Sequence, residues 1–281
     1  MKKLSRLVHF SLTAMFCSVL AVPAGAVVGG RVSRDPDGLR RAVVRVENSA
    51  GELCTGILVR PDVVLTAAHC VVDAAAYKVV GVDRRFRAQA VGVSAALLHP
   101  TFVQGTTPRT QPGVDLALLG LRQPLGSSFQ PIDLAGVTRI GTGEFVTLAG
   151  FGVTRERAKG TARVLRETQL VALGPVRVRN HVFVVADPDR LAESDGAGAC
   201  RGDSGGPLLV ETAFGPRLVG IVSWSSGAMT SRQQTACGGL TAITPIQDHL
   251  QWVVDGTMHL SGQNWTSASG SSSAKGRGIS R

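Results

Sequence analysis

The sequence predicts an all-β protein, built as a sandwich or as barrels. Between residues 27 and 256 the apolar residues fall in short Val-, Leu- and Ile-rich runs cut by Gly, Pro, Asp and Asn. Helical periodicity is nearly missing until the end of that span. Twelve such runs are too many and too short for anything but a sandwich or barrels.

In chain order, strands are expected at 42–47, 55–59, 63–66, 78–82, 88–98, 116–121, 145–149, 167–173, 182–186, 207–210, 217–223 and 239–243. Residues 245–254 suit a short terminal helix, with Thr244 or Pro245 at its start and Ile246, Leu250 and Val253 on one face. From residue 257 a tail is expected to be disordered, because Gly and Ser dominate it from Ser261 on.

Residues 1–26 read as a secretory signal. Lys2, Lys3 and Arg6 are its charged end, 7–22 is mostly apolar, and Ala24-Gly25-Ala26 fits the cleavage site. His9, Ser11, Thr13 and Ser18 interrupt the apolar run, which is short for a spanning helix. No membrane association is expected once the signal leaves, and the protein should be secreted. Cys17 leaves with the signal, so Cys54, Cys70, Cys200 and Cys237 remain, an even count that in an exported chain argues for two disulfides. No Cys/His spacing suits zinc, so no metal and no cofactor is expected.

The net charge is +10, but Lys2, Lys3 and Arg6 belong to the leader and Lys275, Arg277 and Arg281 to the tail. What folds is mildly basic, with scattered arginines and few aromatics, which excludes a nucleic-acid binder. The excess of Arg over Lys, with abundant Ala, Gly and Val, points to a GC-rich bacterial genome. A monomer is expected.

The chemistry centres on Cys200-Arg201-Gly202-Asp203-Ser204-Gly205-Gly206-Pro207. A serine hydroxyl is a poor nucleophile at neutral pH unless a base, an orienter for that base and oxyanion donors are supplied. The glycines leave the N–H groups of Gly202 and Ser204 free to converge on a carbonyl oxygen. His69, in Leu65-Thr66-Ala67-Ala68-His69-Cys70, is the candidate base. Asp115 opens an apolar strand, where burial is costly unless a partner such as an imidazole N–H meets it. The order His69, Asp115, Ser204 is that of chymotrypsin-like enzymes.

Six motifs in one order complete the resemblance: Val27-Val28-Gly29-Gly30, Cys54 with Thr66-Ala67-Ala68-His69-Cys70, Asp115-Leu116-Ala117-Leu118-Leu119, Gly150-Phe151-Gly152, Gly202-Asp203-Ser204-Gly205-Gly206-Pro207 and Ser223-Trp224-Ser225. From about Val27 to Val254 the chain resembles the trypsin/chymotrypsin family of serine proteases. The resemblance implies two six-stranded antiparallel barrels, at 27–130 and 131–256, the second followed by the short helix, with the active site in the cleft between them.

It also implies that His69, Asp115 and Ser204 form the catalytic triad, with Gly202 and Ser204 N–H as the oxyanion hole. Cys54 would pair with Cys70 and Cys200 with Cys237. Ser223, Trp224 and Ser225 would form an edge for a protein or peptide substrate, and Gly198 the pocket base, with Ser225 and Gly239 as walls. No charge lines that pocket, so cleavage after apolar or small residues is expected. Asp195, three residues before Gly198, is expected to stay solvated. A new N-terminus at Val27 would insert and pair with Asp203.

The chain departs from the family in lacking the middle disulfide of the second barrel and in a short 79–98 segment, so no calcium is expected. The segment 99–115 is long and should overhang the cleft. Two other readings are an inactive binding protein on the same fold and a secreted esterase. The esterase would need its acid and His after Ser204, in alternating strands and helices that the sequence lacks.

Overall fold

The computed structural model describes residues 27–232 and 235–270. The expected signal at 1–26 and residues 271–281 of the expected tail lie outside the described residues. The two expected barrels are present, and all twelve expected strands occur within a few residues of their places.

The first barrel holds β2 (Val43–Asn48), β3 (Leu53–Arg60), β4 (Val63–Thr66), β5 (Tyr77–Val82), β6 (Ala88–Leu98) and β7 (Ala117–Leu121). They close antiparallel in the order β2-β3-β4-β7-β6-β5. Asn48 sets the first hairpin, its Oδ1 accepting from the N–H of Ala50 at 3.0 Å and of Glu52 at 2.9 Å, the local bond that suits Asn to turns. β4 and β7 are buried at every residue, which is why both read as unbroken apolar runs. Their side chains fill the barrel with Val44, Val46, Leu58, Val79 and Val91.

The second barrel holds β8 (Phe145–Gly150), β9 (Arg166–Arg177), β10 (His181–Ala186), β11 (Pro207–Thr212), β12 (Gly215–Ser225) and β13 (Thr241–Pro245), closed by β8 pairing with both β11 and β9. β9 and β12 outrun their expected ends because their last residues are exposed or half-buried rather than apolar core.

Both chain ends cross the expected boundary between barrels. The two-residue strand β1 (Arg31–Val32), absent from the sequence reading, pairs with β9, and Val28 bridges to Gly198, so residues 27–32 belong to the second barrel rather than the first. At the other end a 3-10 turn at Gln247–His249 leads into α1 (Leu250–Gly270), which packs on β7 and β4 of the first barrel. The helix starts later and runs longer than expected. Thr257, Leu260 and Ser261 are buried, so the first residues of the expected tail are folded. Leu260 joins Val253 in an apolar cluster with Leu118 and Leu65, and that burial offsets the poor helix propensity of the Gly- and Ser-rich stretch. Disulfides join Cys54 to Cys70 and Cys200 to Cys237.

Candidate active site

His69 lies on a short 3-10 turn, Ala68–Val71, that follows β4 directly. Cys70 beside it is tied to Cys54 on β3. Asp115 stands two residues before β7, which pairs with β4, so the two residues meet at one end of the barrel. Its Oδ1 accepts from the His69 main-chain N–H at 3.0 Å and its Oδ2 faces His69 Nδ1 at 2.8 Å. Ser223 Oγ donates to the same Oδ2 at 2.6 Å. Asp115 is fully buried. Burial alone would push its carboxyl up, but the facing His69 charge and the hydrogen bonds from His69 and Ser223 outweigh that and hold it below its usual value. A carboxylate at Nδ1 fixes the tautomer that leaves Nε2 as proton acceptor.

Ser204 is presented on a turn locked to the first barrel by Thr55. The Thr55 N–H donates to the Ser204 carbonyl at 2.8 Å, Thr55 Oγ1 donates to the Gly202 carbonyl at 2.8 Å, and the Phe151 N–H donates to Thr55 Oγ1 at 3.1 Å. Thr66 Oγ1 in turn donates to the Thr55 carbonyl at 2.7 Å. Since Thr55 follows Cys54 and Cys70 follows His69, the base and the serine turn are referenced to one point. Gly202 and Gly205 adopt φ of +96° and +80°, and a Cβ on Gly205 would collide with Thr66 Oγ1 and the Thr55 carbonyl, so this turn requires glycine there. Among the described residues neither the Gly202 nor the Ser204 N–H meets a protein acceptor.

Asp203 is wholly buried, with Oδ1 accepting from the Gly152 N–H at 2.8 Å and Oδ2 from the Cys200 N–H at 2.9 Å. Burial pushes it up to about 7, against the pull of those two bonds and of the Arg166 charge. The Val27 ammonium expected as its partner would exist only once the Ala26–Val27 bond is cut; in the full chain the Val27 nitrogen is a peptide nitrogen. Val27 is nonetheless fully buried, with its φ at 52°, a conformation a β-branched residue rarely adopts.

The pocket residues fall partly as expected. Gly198 is buried, and its N–H and carbonyl pair with Val28. Ser225, however, stands opposite Thr241 in the β12–β13 register, and Gly239 is no open wall: its missing side chain points into the Gly227 carbonyl, and its N–H donates to the Ser226 carbonyl at 2.8 Å. Thr241, the residue opposite Ser225, is fully buried, with Oγ1 accepting from the Ala199 N–H at 2.9 Å. Asp195 is exposed and accepts from the Ala228 N–H at 3.4 Å, clear of Gly198. Cys54, His69 and Cys70 place ligand atoms within 4.8 Å of one another, but the disulfide removes the thiolates a metal would need.

Sequence reasoning missed Thr55, Thr241 and Arg109. Thr55 and Thr241 are single polar residues inside strands, whose burial no local pattern reveals. Arg109 lies in the long 99–115 segment; its Nη2 donates to the Ser225 carbonyl at 2.8 Å and its guanidinium lies 5.0 Å from the Trp224 ring centroid.

Two closed barrels, a His–Asp pair at the end of one and a glycine-flanked serine turn on the other define the class: a two-barrel protein with the residue set of a serine protease. The family model described as Trypsin matches residues 27–253. The chain belongs to the trypsin family of serine proteases. It is 33% identical over 219 residues to serine protease 56 of Homo sapiens, covering 72% of this chain and 35% of that protein. It is 30% identical over 207 residues to trypsin iota of Drosophila melanogaster, covering 69% of this chain and 78% of that one. Among solved structures, human heparin binding protein superposes with a TM-score of 0.62 at 22% identity, over 90% of this chain and 100% of that one. These relatives are animal proteins, and the expected bacterial source finds no support among them.

Proposed function

We propose that this chain is a secreted serine endopeptidase, active after release of residues 1–26, that acts on protein or peptide substrates. The observation that carries the reading is the buried Asp115 carboxylate clamped on both the ring and the main chain of His69. Two further features support it: the serine turn is tied through Thr55 to the same end of the barrel, and the N–H groups of Gly202 and Ser204 meet no acceptor among the described residues. In this reading His69 Nε2 takes the Ser204 proton as Oγ attacks the scissile carbonyl, and returns it to the leaving amine. Water then cleaves the acyl-enzyme by the same route. The Gly202 and Ser204 N–H groups receive the oxyanion, a contribution worth ~3 to 4 kcal/mol per donor.

Val27 is the new N-terminus whose ammonium replaces backbone N–H groups as the counter-charge of Asp203. Gly198, Thr241 and Ser225 form an uncharged pocket, and the buried Thr241 side chain shortens it, which favours small residues before the cut over large apolar ones. Ser223 and Ser225 offer their main chain to a substrate strand. The test is labelling of the processed protein with a serine-directed phosphonate, alongside cleavage-site profiling on a peptide library. Labelling of wild type and none of Ser204→Ala is expected; no labelling of correctly folded protein would leave the inactive binding protein as the reading.

A further inference from the structure

The 99–115 segment is built to hold one cation over the substrate edge. Just past β12, Ser226 pairs its N–H with the Leu240 carbonyl and its carbonyl with the Gly239 N–H, in the residues that lead into β13, so by strand alternation Ser225 turns its main chain to the open side. No strand occupies that side among the described residues; the β11 pairing ends at Ile221. Arg109 occupies it instead, donating to the Ser225 carbonyl with its guanidinium over Trp224. Among the described residues no carboxylate lies within ion-pair distance of Arg109.

The placement is rigid. Gln111, fully buried, accepts from the Val103 and Gly113 N–H groups at 3.0 and 2.9 Å and donates to the Val103 carbonyl at 2.8 Å and to Thr106 Oγ1 at 2.7 Å, so one side chain organises the whole loop. Asn180 Nδ2 donates to the Gly113 carbonyl at 3.1 Å and docks the loop on the β9–β10 hairpin, whose Arg177 and Arg179 are exposed and add positive potential.

We propose that Arg109 is a specificity-determining residue that makes this cleft select peptides with a carboxylate side chain about two to four residues before the cut. The proposal rests on the peptidase reading above. A substrate strand needs the Ser225 carbonyl that Arg109 holds, so entry displaces the guanidinium. A substrate without an acid loses that hydrogen bond uncompensated. A substrate carboxylate re-engages the displaced guanidinium, in the bidentate geometry Arg favours, while it stays over the Trp224 face.

The test compares peptides identical except for Glu, Gln or Ala at those positions, cleaved by wild type, Arg109→Ala and Arg109→Lys. Wild type should prefer Glu over Gln by ~5- to 10-fold in kcat/KM, and high salt should shrink the preference. Arg109→Ala should bring the ratio to ~1 and lower KM for the Ala peptide, with Arg109→Lys in between. An equal Glu/Gln rate in wild type, or a preference that survives Arg109→Ala, overturns the proposal. Calorimetric binding of the same peptides to Ser204→Ala and to Ser204→Ala/Arg109→Ala reads the preference without turnover. Absent phosphonate labelling therefore refutes the peptidase, while the Glu/Gln binding ratio separately judges Arg109.

Discussion

Asp203→Asn, made in the full-length chain carrying Ser204→Ala, should remove a pH dependence that the wild-type fold owes to one carboxyl. Asp203 is wholly buried and titrates near 7 in the folded chain, against ~3.9 unfolded. Its folded value is raised, so the native state binds the extra proton between those limits and stability falls as pH rises from ~4 to ~7. The full gap corresponds to roughly 4 kcal/mol. Asparagine cannot ionise, but its amide can accept only one of the two N–H groups from Gly152 and Cys200, and orphaning the other costs ~1 to 3 kcal/mol at every pH. Urea denaturation of both chains between pH 4 and 8 should thus show the variant less stable at pH 4 and equal to or more stable than its parent by pH 8. Taking the difference cancels His99 and Asp115, which both chains share. A wild-type-minus-variant stability that is flat with pH would refute the assignment of the raised value to Asp203.

Other perturbations test separate contacts. Thr55→Val removes the hydroxyl that bridges the Gly202 carbonyl and the Phe151 N–H, and should cost ~1 to 3 kcal/mol per orphaned partner together with a fall in kcat that a stabilising osmolyte does not restore. Ser223→Ala strips one donor from the ionised Asp115, costing ~1.5 to 3 kcal/mol. Because Asp115 is lowered in the fold, its stability contribution is present above the unfolded value and lost as pH falls, so the acid-unfolding midpoint of this variant should move to higher pH. His99, buried against His249 and Trp252, is pushed down to about 4 by burial first and the His249 charge second. The unfolded chain therefore binds the extra proton, and relative to His99→Gln the wild type should lose stability as pH falls from ~6.5 to ~4. The Cys54→Ser/Cys70→Ser double variant should lose ~3 kcal/mol for its 16-residue separation, read as a lower urea midpoint.

The strands were legible because each carries its own apolar run between turn residues, and β4 and β7, buried at every position, showed it most plainly. Legibility failed where structure depends on a distant partner. β1 is two residues of unremarkable pattern that exist as a strand only because β9 offers an edge. The helix beyond Val254 has weak local propensity and is held by a groove that β4 and β7 create. Gly239 was expected beside Ser225 as a pocket wall, but the register shift between Val222 and Trp224 in the β12–β13 pairing sets Thr241 opposite Ser225, where an unbroken ladder would set Leu240. Bulges of that kind leave no mark in composition.

The two ends of the described chain explain how the site stays aligned across two barrels that share no strand pairing. Residues 27–32 come before the first barrel yet join the second, and α1 follows the second yet rests on the first. Separating the barrels would therefore strip apolar surface from both straps at once, including the fully buried Val27 and Val253. At the interface itself, Thr55 and Asp115 each donate to or accept from the opposite barrel, through Gly202 and Ser204 in one case and Ser223 in the other. These bonds are short-range and directional, so they fix position only while the barrels are already in contact; the straps supply that contact together with the apolar cluster that joins Ile57, Val59 and Leu116 to Leu209, Leu218 and Ile221, and the hydrophobic effect makes it insensitive to small misalignment. Burial thus holds the halves together and hydrogen bonds set their register, and the same burial holds Val27 in place despite its strained backbone geometry. Its side chain is anchored in the second barrel's core with Ala199 and Leu208, so the processing proposed above would leave that anchor in place.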